Sequence, residues 1–229
     1  MKIKYPLSYY IIAVTVACFL LQNLAQSLFG HDYLLLFGAK INSFILRGEF
    51  WRLLTPVLLH GSLLHIGFNM YALYSIGPSL ERRYGVESFL SLYLAGALWG
   101  NTLSFLMSPN PSLGASTAIF GLIAAQAVYI YKNRFMLGRA AQPLLMNVLM
   151  VIAINLALGM SPGIDNWGHM GGLLGGLFYA WFAGPSYGIE STITLGDVVI
   201  RQPRNPRLVT LLALGIAAAF VLLGFLLKG

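Results

Sequence analysis

Charged residues are scarce in this chain: Asp, Glu, Lys and Arg make up 9% of its 229 residues, whereas a soluble domain typically carries about 25%. Hydrophobic residues make up 58%, and the mean hydropathy is +0.75. These values exclude an ordinary soluble domain and predict an integral membrane protein. The net charge of +7 does not indicate nucleic acid as a partner, because the positive residues are scattered between apolar runs, as the positive-inside rule expects.

Cysteine is almost absent as well. The single residue, Cys18, lies inside the first apolar run, which excludes an intrachain disulfide and a cysteine-based metal site. The His-Glu-x-x-His motif of zinc proteases is missing. His60 and His65 are five positions apart, about 140° around a helix, which is poor geometry for a shared metal. We therefore expect no metal and no cofactor. Internal repeats, which a transporter would favour, are also missing.

Seven apolar stretches predict a polytopic all-α membrane protein. The predicted helices cover about 7–29, 62–80, 86–107, 116–131, 142–158, 167–184 and 208–227. The first run could be a secretory signal, but its apolar core exceeds the usual 7–15 residues, so we expect a retained helix. Residues 30–55 are apolar yet interrupted by charges, which predicts a segment packed in the membrane interface. We expect one domain over 1–229, with a six-helix core at about 7–185, a connecting loop at 186–206 and an extra helix at 207–229.

The distribution of positive charge predicts the orientation of these helices. With the N-terminus in the cytoplasm, ten of the 14 positive residues fall on the inner side, which is the asymmetry that the positive-inside rule describes. These ten are Lys2, Lys4, Arg82, Arg83, Lys132, Arg134, Arg139, Arg201, Arg204 and Arg207. We expect a multi-pass protein of a bacterial plasma (inner) membrane whose C-terminus lies outside, with Ser116 near the outer face.

The stretch 109–132 departs from the other apolar runs. A Pro- and Gly-rich loop stops at Ser116, and the uncharged run that follows has about 15 residues, or roughly 22 Å of helix. A bilayer core is roughly 30 Å thick, so this helix ends inside the membrane and places Ser116 below the outer surface. Gly114 permits a tight turn before the helix. A serine on such a turn resembles a nucleophile elbow, although serine is also a common helix N-cap.

Three polar side chains on three different helices come to a similar depth. Ser116, His169 and His65 each precede the inner end of their helix by the same interval, roughly 24 Å. The interval is 16 residues in each case: Ser116 to Lys132, His169 to Pro185 and His65 to Glu81. Asn69 lies one turn below His65 on the same face. Polar groups inside a membrane are costly and usually face a functional cavity.

Acyl transfer is the chemistry that uses such a set. A serine hydroxyl is a weak nucleophile until a base takes its proton, and histidine has a suitable pKa. Glycines beside His169 let another helix approach closely, so we expect its Nε2 atom within hydrogen-bond reach of Ser116 Oγ. The Ser116 backbone N–H, the Asn69 amide and the His65 ring could stabilise an oxyanion. Asp165 could orient His169 as a third member, but a place in the outer turn is favoured, which leaves a dyad.

Simpler interpretations of several residues stay open at this point. His65 could be a packing histidine bonded to a carbonyl group, and Asn69 could join two helices by hydrogen bonding. We expect a structural or solvent-facing role for His60 and His31.

Five pieces of the chain, taken in order, resemble the rhomboid intramembrane serine proteases over essentially the whole length. The pieces are Trp51-Arg52, HGSLLHIGFN (60–69), Glu81 with Gly85, GAST (114–117) and HMGGLLGG (169–176). The resemblance implies a rhomboid-like six-helix core plus a C-terminal seventh helix. It implies that Ser116 is the nucleophile and that His169 is the general base and acid.

The same resemblance assigns supporting roles to other residues. His65, Asn69 and the Ser116 backbone would form the oxyanion hole, while Gly114 and Phe120 would support it, the latter by packing against His169. Trp51-Arg52 would belong to a membrane-embedded first loop, and Glu81 would be a structural hydrogen-bonding residue.

The resemblance also implies the partners of the protein. Its partners would be the lipid bilayer and transmembrane protein substrates, which would carry helix-destabilising residues and be cut in or near their transmembrane segments after a small residue. Neither a cofactor nor nucleic acid would be involved. Thr117 departs from the family, in which glycine often follows the serine. The alternative function is a catalytically silent rhomboid-like binding or quality-control factor.

Overall fold

The computed structural model describes residues 5–192, 196–202 and 204–228. It is a bundle of α-helices, which confirms the predicted fold class. The helices are α1 (Leu7–Phe29), α2 (Tyr33–Gly38), α3 (Asn42–Ile45), α4 (Leu63–Tyr84), α5 (Val86–Met107), α6 (Ser116–Lys132), α7 (Arg134–Leu137), α8 (Ala141–Leu158), α9 (Asn166–Ala183) and α10 (Pro206–Lys228). Lys2 and Lys4, which the predicted orientation uses, lie outside the described residues.

The seven predicted long helices are present, and two of them, α1 and α5, begin and end where the apolar runs do. The predicted end of α4 at residue 80 was wrong, because the helix continues through the charged residues to Tyr84. It stops at Gly85, whose φ of 84° is a backbone conformation that favours glycine. The charges of this segment therefore mark the end of the apolar run, and Gly85 marks the end of the helix.

Four segments among the described residues are long and apolar enough to cross a membrane: α1, α5, 134–158 and α10. Helices α4, α6 and α9 do not meet this measure. Helix α6 is short, and polar side chains and glycines lower the hydropathy of the other two. They are the helices that carry the candidate site residues. The chain is a multi-pass membrane protein. Of the four segments, α1 and 134–158 are mostly exposed, whereas most of α5 is buried in the bundle.

Arg52 organises the first loop, which runs between α1 and α4. Its side chain is buried and donates hydrogen bonds to the carbonyl oxygens of Leu36 and Ala39 at 2.9 and 2.8 Å. Its Nε atom pairs with Glu49 at 2.7 Å. Beside it, Trp51 Nε1 donates to a carbonyl oxygen of the same loop. A buried guanidinium is tolerated only when its donors are satisfied, so these contacts fix the fold of the loop.

Lys40 connects this loop to the turn that precedes Ser116. The Lys40 side chain is fully buried, and its ammonium donates to the carbonyl oxygens of Ser104, Ser108 and Asn110 at 3.3, 3.1 and 2.8 Å. Its backbone exchanges two hydrogen bonds with Ser112. The lysine therefore connects the first loop to carbonyl groups in the last turn of α5 and just beyond its end.

A pH dependence of stability follows from this buried lysine. Burial lowers the pKa of Lys40 from 10.5 to about 8. Between these two values the unfolded chain binds more protons than the folded chain, so the free energy of unfolding rises with pH across the window. We expect the Lys40→Met variant to lose this rise. The measurement is the thermal unfolding temperature of the wild type and of Lys40→Met in detergent from pH 7 to 10. If the unfolding temperatures of the two proteins change with pH in the same way, Lys40 is not the source of the rise.

Glu81 anchors the start of α1 on α4. Its two carboxylate oxygens accept hydrogen bonds from the backbone N–H groups of Leu7 and Ser8, at 2.8 and 3.2 Å. The first N–H groups of a helix have no partner within it, and an acidic side chain there is favourable. This contact gives Glu81 the structural role that the resemblance implies.

Helices α5, α6 and α9 pack so closely that several of their contact positions accept only glycine. A Cβ atom on Gly172 would meet the Thr117 carbonyl oxygen, and one on Gly176 would meet the Gly121 backbone. Gly96 and Gly121 face each other in the same manner between α5 and α6. Small residues allow this approach of backbones in membrane proteins. The packing brings the start of α6 next to the first turn of α9.

The connection before α10 contains a structure that sequence analysis did not predict. Strands β1 (Tyr187–Thr192) and β2 (Gly196–Arg201) pair antiparallel, with Tyr187 opposite Arg201. The stretch 186–206 had been expected to be a loop. Helix α10 follows and packs on α5, where Trp99 Nε1 donates to the Ala213 carbonyl oxygen at 3.0 Å.

Candidate active site

Ser116 is the first residue of α6, and its hydroxyl does not cap the helix. The N-cap position belongs to Ala115, and no side chain caps this end. The preceding residue, Gly114, has a φ of 121°, which L-amino acids with a side chain rarely adopt. A Cβ atom on Gly114 would lie 2.6 Å from His65 Nε2. Glycine is therefore required at this position by both backbone and space, and the turn leaves the Ser116 hydroxyl free.

His169 and Ser116 meet across the α6–α9 contact. The His169 Nε2 atom lies 3.0 Å from Ser116 Oγ, which is hydrogen-bond distance between a base and a hydroxyl group. The His169 side chain is buried. The Phe120 ring, one turn below the serine, stacks on the imidazole with 4.3 Å between centroids and 14° between planes. The ring is therefore held by packing, and its Nε2 atom points to the hydroxyl.

Asp165 caps the helix of His169 and makes no hydrogen bond to its ring. One carboxylate oxygen of Asp165 accepts a hydrogen bond from the Gly168 N–H at 2.9 Å. Within the part of the chain that the structure describes, His169 Nδ1 is buried without a hydrogen-bond partner. A triad needs a carboxylate on that atom. The geometry is that of a serine–histidine pair.

The three groups expected to stabilise an oxyanion are the Ser116 N–H, the His65 ring and the Asn69 amide. The first N–H groups of a helix have no intrahelical partner, and that of Ser116 is one of them. The His65 ring lies against Gly114, two residues before the serine. Asn69 is buried, and its Nδ2 donates to the His65 carbonyl oxygen at 2.9 Å. The structure thus brings Ser116, His169 and His65 together, while the Asn69 amide is bonded to its own helix and keeps one further N–H.

His60 is a neighbour of the site that sequence analysis set aside. Its side chain is almost fully buried, its Nε2 accepts a hydrogen bond from the Ala115 N–H at 3.4 Å, and its ring lies 4.9 Å from the His65 ring. Of the two expected roles, structural or solvent-facing, the burial of His60 and its hydrogen bond to Ala115 fit the structural one. The spacing of five residues between His60 and His65 did not indicate that their rings lie close together, because residues at this spacing do not share a helix face.

Thr117, the departure from the family pattern, does not face the serine. Its side chain is buried and lies between α5 and α9, where it contacts the positions of Gly100 and Gly168. Its hydroxyl has no hydrogen-bond partner among the described residues. Among those residues, no three His, Cys, Asp or Glu side chains form a group that could hold a metal ion.

Comparison with known proteins points to one family. The family model described as the Rhomboid domain matches residues 47–186, which include all the candidate site residues. The rhomboid protease GluP of Bacillus subtilis is 43% identical over 178 residues, 77% of this chain and 34% of that protein. RHOMBOID-like protein 9, chloroplastic, of Arabidopsis thaliana is 36% identical over 152 residues, 66% of this chain and 35% of that protein.

A third relative is also named as a rhomboid-like protein. Rhomboid-like protease 1 of Toxoplasma gondii is 38% identical over 150 residues, 61% of this chain and 49% of that protein. The chain spans between a third and a half of the length of these relatives.

Proposed function

We propose that this chain, which belongs to the rhomboid family, is a serine endopeptidase that hydrolyses peptide bonds in or near transmembrane segments of other membrane proteins. The observation that carries the proposal is the 3.0 Å contact between His169 Nε2 and Ser116 Oγ. Two further features support it: the Gly114 turn that frees the hydroxyl and the Phe120 ring that holds the imidazole. The protease names of two relatives agree with it.

The first half of the reaction acylates the serine. Ser116 Oγ attacks the carbonyl carbon of the scissile bond while its proton moves to His169 Nε2. The tetrahedral intermediate then breaks its C–N bond, and the imidazolium gives the proton to the leaving nitrogen. One peptide fragment leaves with a new amino terminus, and the other remains as an ester on Ser116.

The second half restores the enzyme. Water gives a proton to His169 Nε2 and its oxygen attacks the ester carbon, and collapse returns the proton to Ser116 Oγ as the second fragment leaves. In both halves a negative oxygen develops near the start of α6. The Ser116 N–H, the His65 ring and the remaining N–H of Asn69 are proposed to donate to it, since preorganised donors are usually the largest electrostatic contribution.

The proposed surroundings of the reaction follow from the orientation. The N-terminus would lie in the cytoplasm of a cell with this chain in its inner (plasma) membrane, and the active site would open toward the outer side. The substrates would be transmembrane proteins in the same bilayer. The site is proposed to need neither metal nor cofactor.

Cleavage by purified variants tests the function. We expect the wild type to cut a reference transmembrane substrate reconstituted with it in vesicles, and Ser116→Ala to lower the rate at least about 10³-fold because the nucleophile is gone. Ser161→Ala is the matched control, since Ser161 is an exposed serine in the turn after α8, and it should cut at the wild-type rate.

The rival function predicts a different result. A catalytically silent rhomboid-like factor would bind the substrate without cutting it, so all three proteins would be inactive alike. Cleavage that persists in Ser116→Ala would overturn the assignment of the nucleophile.

A further inference from the structure

Gln22 is a buried polar side chain in the first membrane helix, outside the set of residues assigned to the reaction. Helix α1 has three buried residues, Ser8, Thr15 and Gln22, spaced seven apart on one face. A carboxamide in a membrane helix is costly unless its donors and acceptor are satisfied. Gln22 is nearly fully buried, so its partners indicate what it does.

Both ends of the Gln22 amide bind the backbone of His60. Gln22 Oε1 accepts the His60 N–H at 3.1 Å, and Gln22 Nε2 donates to the His60 carbonyl oxygen at 3.4 Å. The same Nε2 donates to Asp32 Oδ2 at 2.8 Å, and the other oxygen of Asp32 caps α2 by accepting the Leu35 N–H at 2.9 Å. Gln22 is therefore fixed by α2 and in turn fixes His60.

His60 connects Gln22 to the residues of the candidate oxyanion hole. Its Nε2 accepts the Ala115 N–H, directly before the serine, and its ring packs edge-on against the His65 ring. Burial and the adjacent His65 keep the pKa of His60 at about 4. The ring is therefore neutral at physiological pH, and Nε2 can act as the acceptor.

We infer that Gln22 is a positioning residue of the active site, which orients the 114–116 turn and the His65 ring through His60. This inference rests on the proposed proteolytic function. The physical basis of the inference is a difference in sensitivity. The rate of catalysis by oriented donors changes with displacements of about 1 Å, whereas the affinity for a substrate bound along the helices does not. The effect should therefore fall on kcat and leave KM nearly unchanged.

The test compares Gln22→Met with Thr15→Val in reconstituted cleavage assays. Both changes remove a buried polar group from the same face of α1, but the Thr15 hydroxyl has no hydrogen-bond partner within the described residues. The number of competent sites is first titrated to completion with a fluorophosphonate, so that misfolded protein does not count. We expect kcat per titrated site to fall about tenfold in Gln22→Met, with KM within about twofold, and to stay at the wild-type value in Thr15→Val.

A double variant shows whether His60 transmits the effect. His60→Phe keeps a ring but removes the acceptor for Ala115, and Gln22→Met/His60→Phe should be no slower than the slower single variant, because both changes break one chain of contacts. Equal kcat per site in Gln22→Met, Thr15→Val and wild type would overturn the positioning role and leave the protease function standing. Absence of cleavage by wild type and Thr15→Val would overturn the proposed function, and this inference with it.

Discussion

Removing either member of the serine–histidine pair should cost nearly as much as removing both. We expect His169→Ala to lower kcat at least about 10³-fold, because the Ser116 hydroxyl then has no base 3.0 Å away to take its proton. Ser116→Ala should lose at least as much, and the double variant should be no slower than the slower single variant. Residues that act as one unit are grossly non-additive in this manner.

The measurement is kcat for one transmembrane substrate with wild type, both single variants and the double variant. Asp165→Asn provides a control on the dyad, since Asp165 caps α9 and makes no hydrogen bond to the His169 ring. An amide oxygen can still accept the Gly168 N–H, so we expect less than a tenfold loss. Additive losses in the double variant would contradict a unit of two residues, and a loss of about 10⁴-fold in Asp165→Asn would indicate a triad.

The second large effect concerns the contact between α6 and α9. We expect Gly176→Ala to destabilise the protein by about 1–3 kcal/mol or more and to abolish cleavage. The added Cβ would collide with the backbone of Gly121, which cannot rotate away as a side chain could. Separation of the two helices would move His169 from Ser116, because both lie on this contact. Thermal unfolding in detergent and the cleavage rate are the two measurements.

Gly215→Ala is the matched control for this substitution. Gly215 lies in α10, and a Cβ atom there would meet nothing within 4 Å. Alanine has the higher helix propensity by about 1 kcal/mol, so this variant should be at least as stable as the wild type and equally active. If Gly176→Ala also unfolds at the wild-type temperature, the close packing of α6 on α9 is not what holds the site together.

The helices of this chain could be predicted because each feature that defines them is local. The apolar runs gave α1 and α5 their bounds, and the break before Ser116 gave the start of α6. The end of α4 was missed because charged residues continue the helix until Gly85. The β1–β2 ribbon was missed because its two short strands have mixed composition and no regular alternation of polar and apolar residues.

The candidate site could be predicted in part. Counting residues from the inner ends of the helices gave the common height of Ser116, His169 and His65, and the glycines of α9 indicated a close neighbour. The depth of a residue along its helix does not determine which way its side chain points. The sequence therefore could not show that the Asn69 amide bonds to a carbonyl oxygen of its own helix. It also could not find His60 and Gln22, whose roles depend on backbone contacts between segments 38 residues apart.

Labelling with a fluorophosphonate tests the central claim most directly, because it needs no substrate. A serine made nucleophilic by its base displaces fluoride from phosphorus and keeps the phosphonyl group, which mass spectrometry locates. We predict a single adduct on Ser116 of the wild type and a labelling rate at least about 10²-fold lower in His169→Ala. An adduct on another residue, or labelling of His169→Ala at the wild-type rate, would contradict activation of Ser116 by His169.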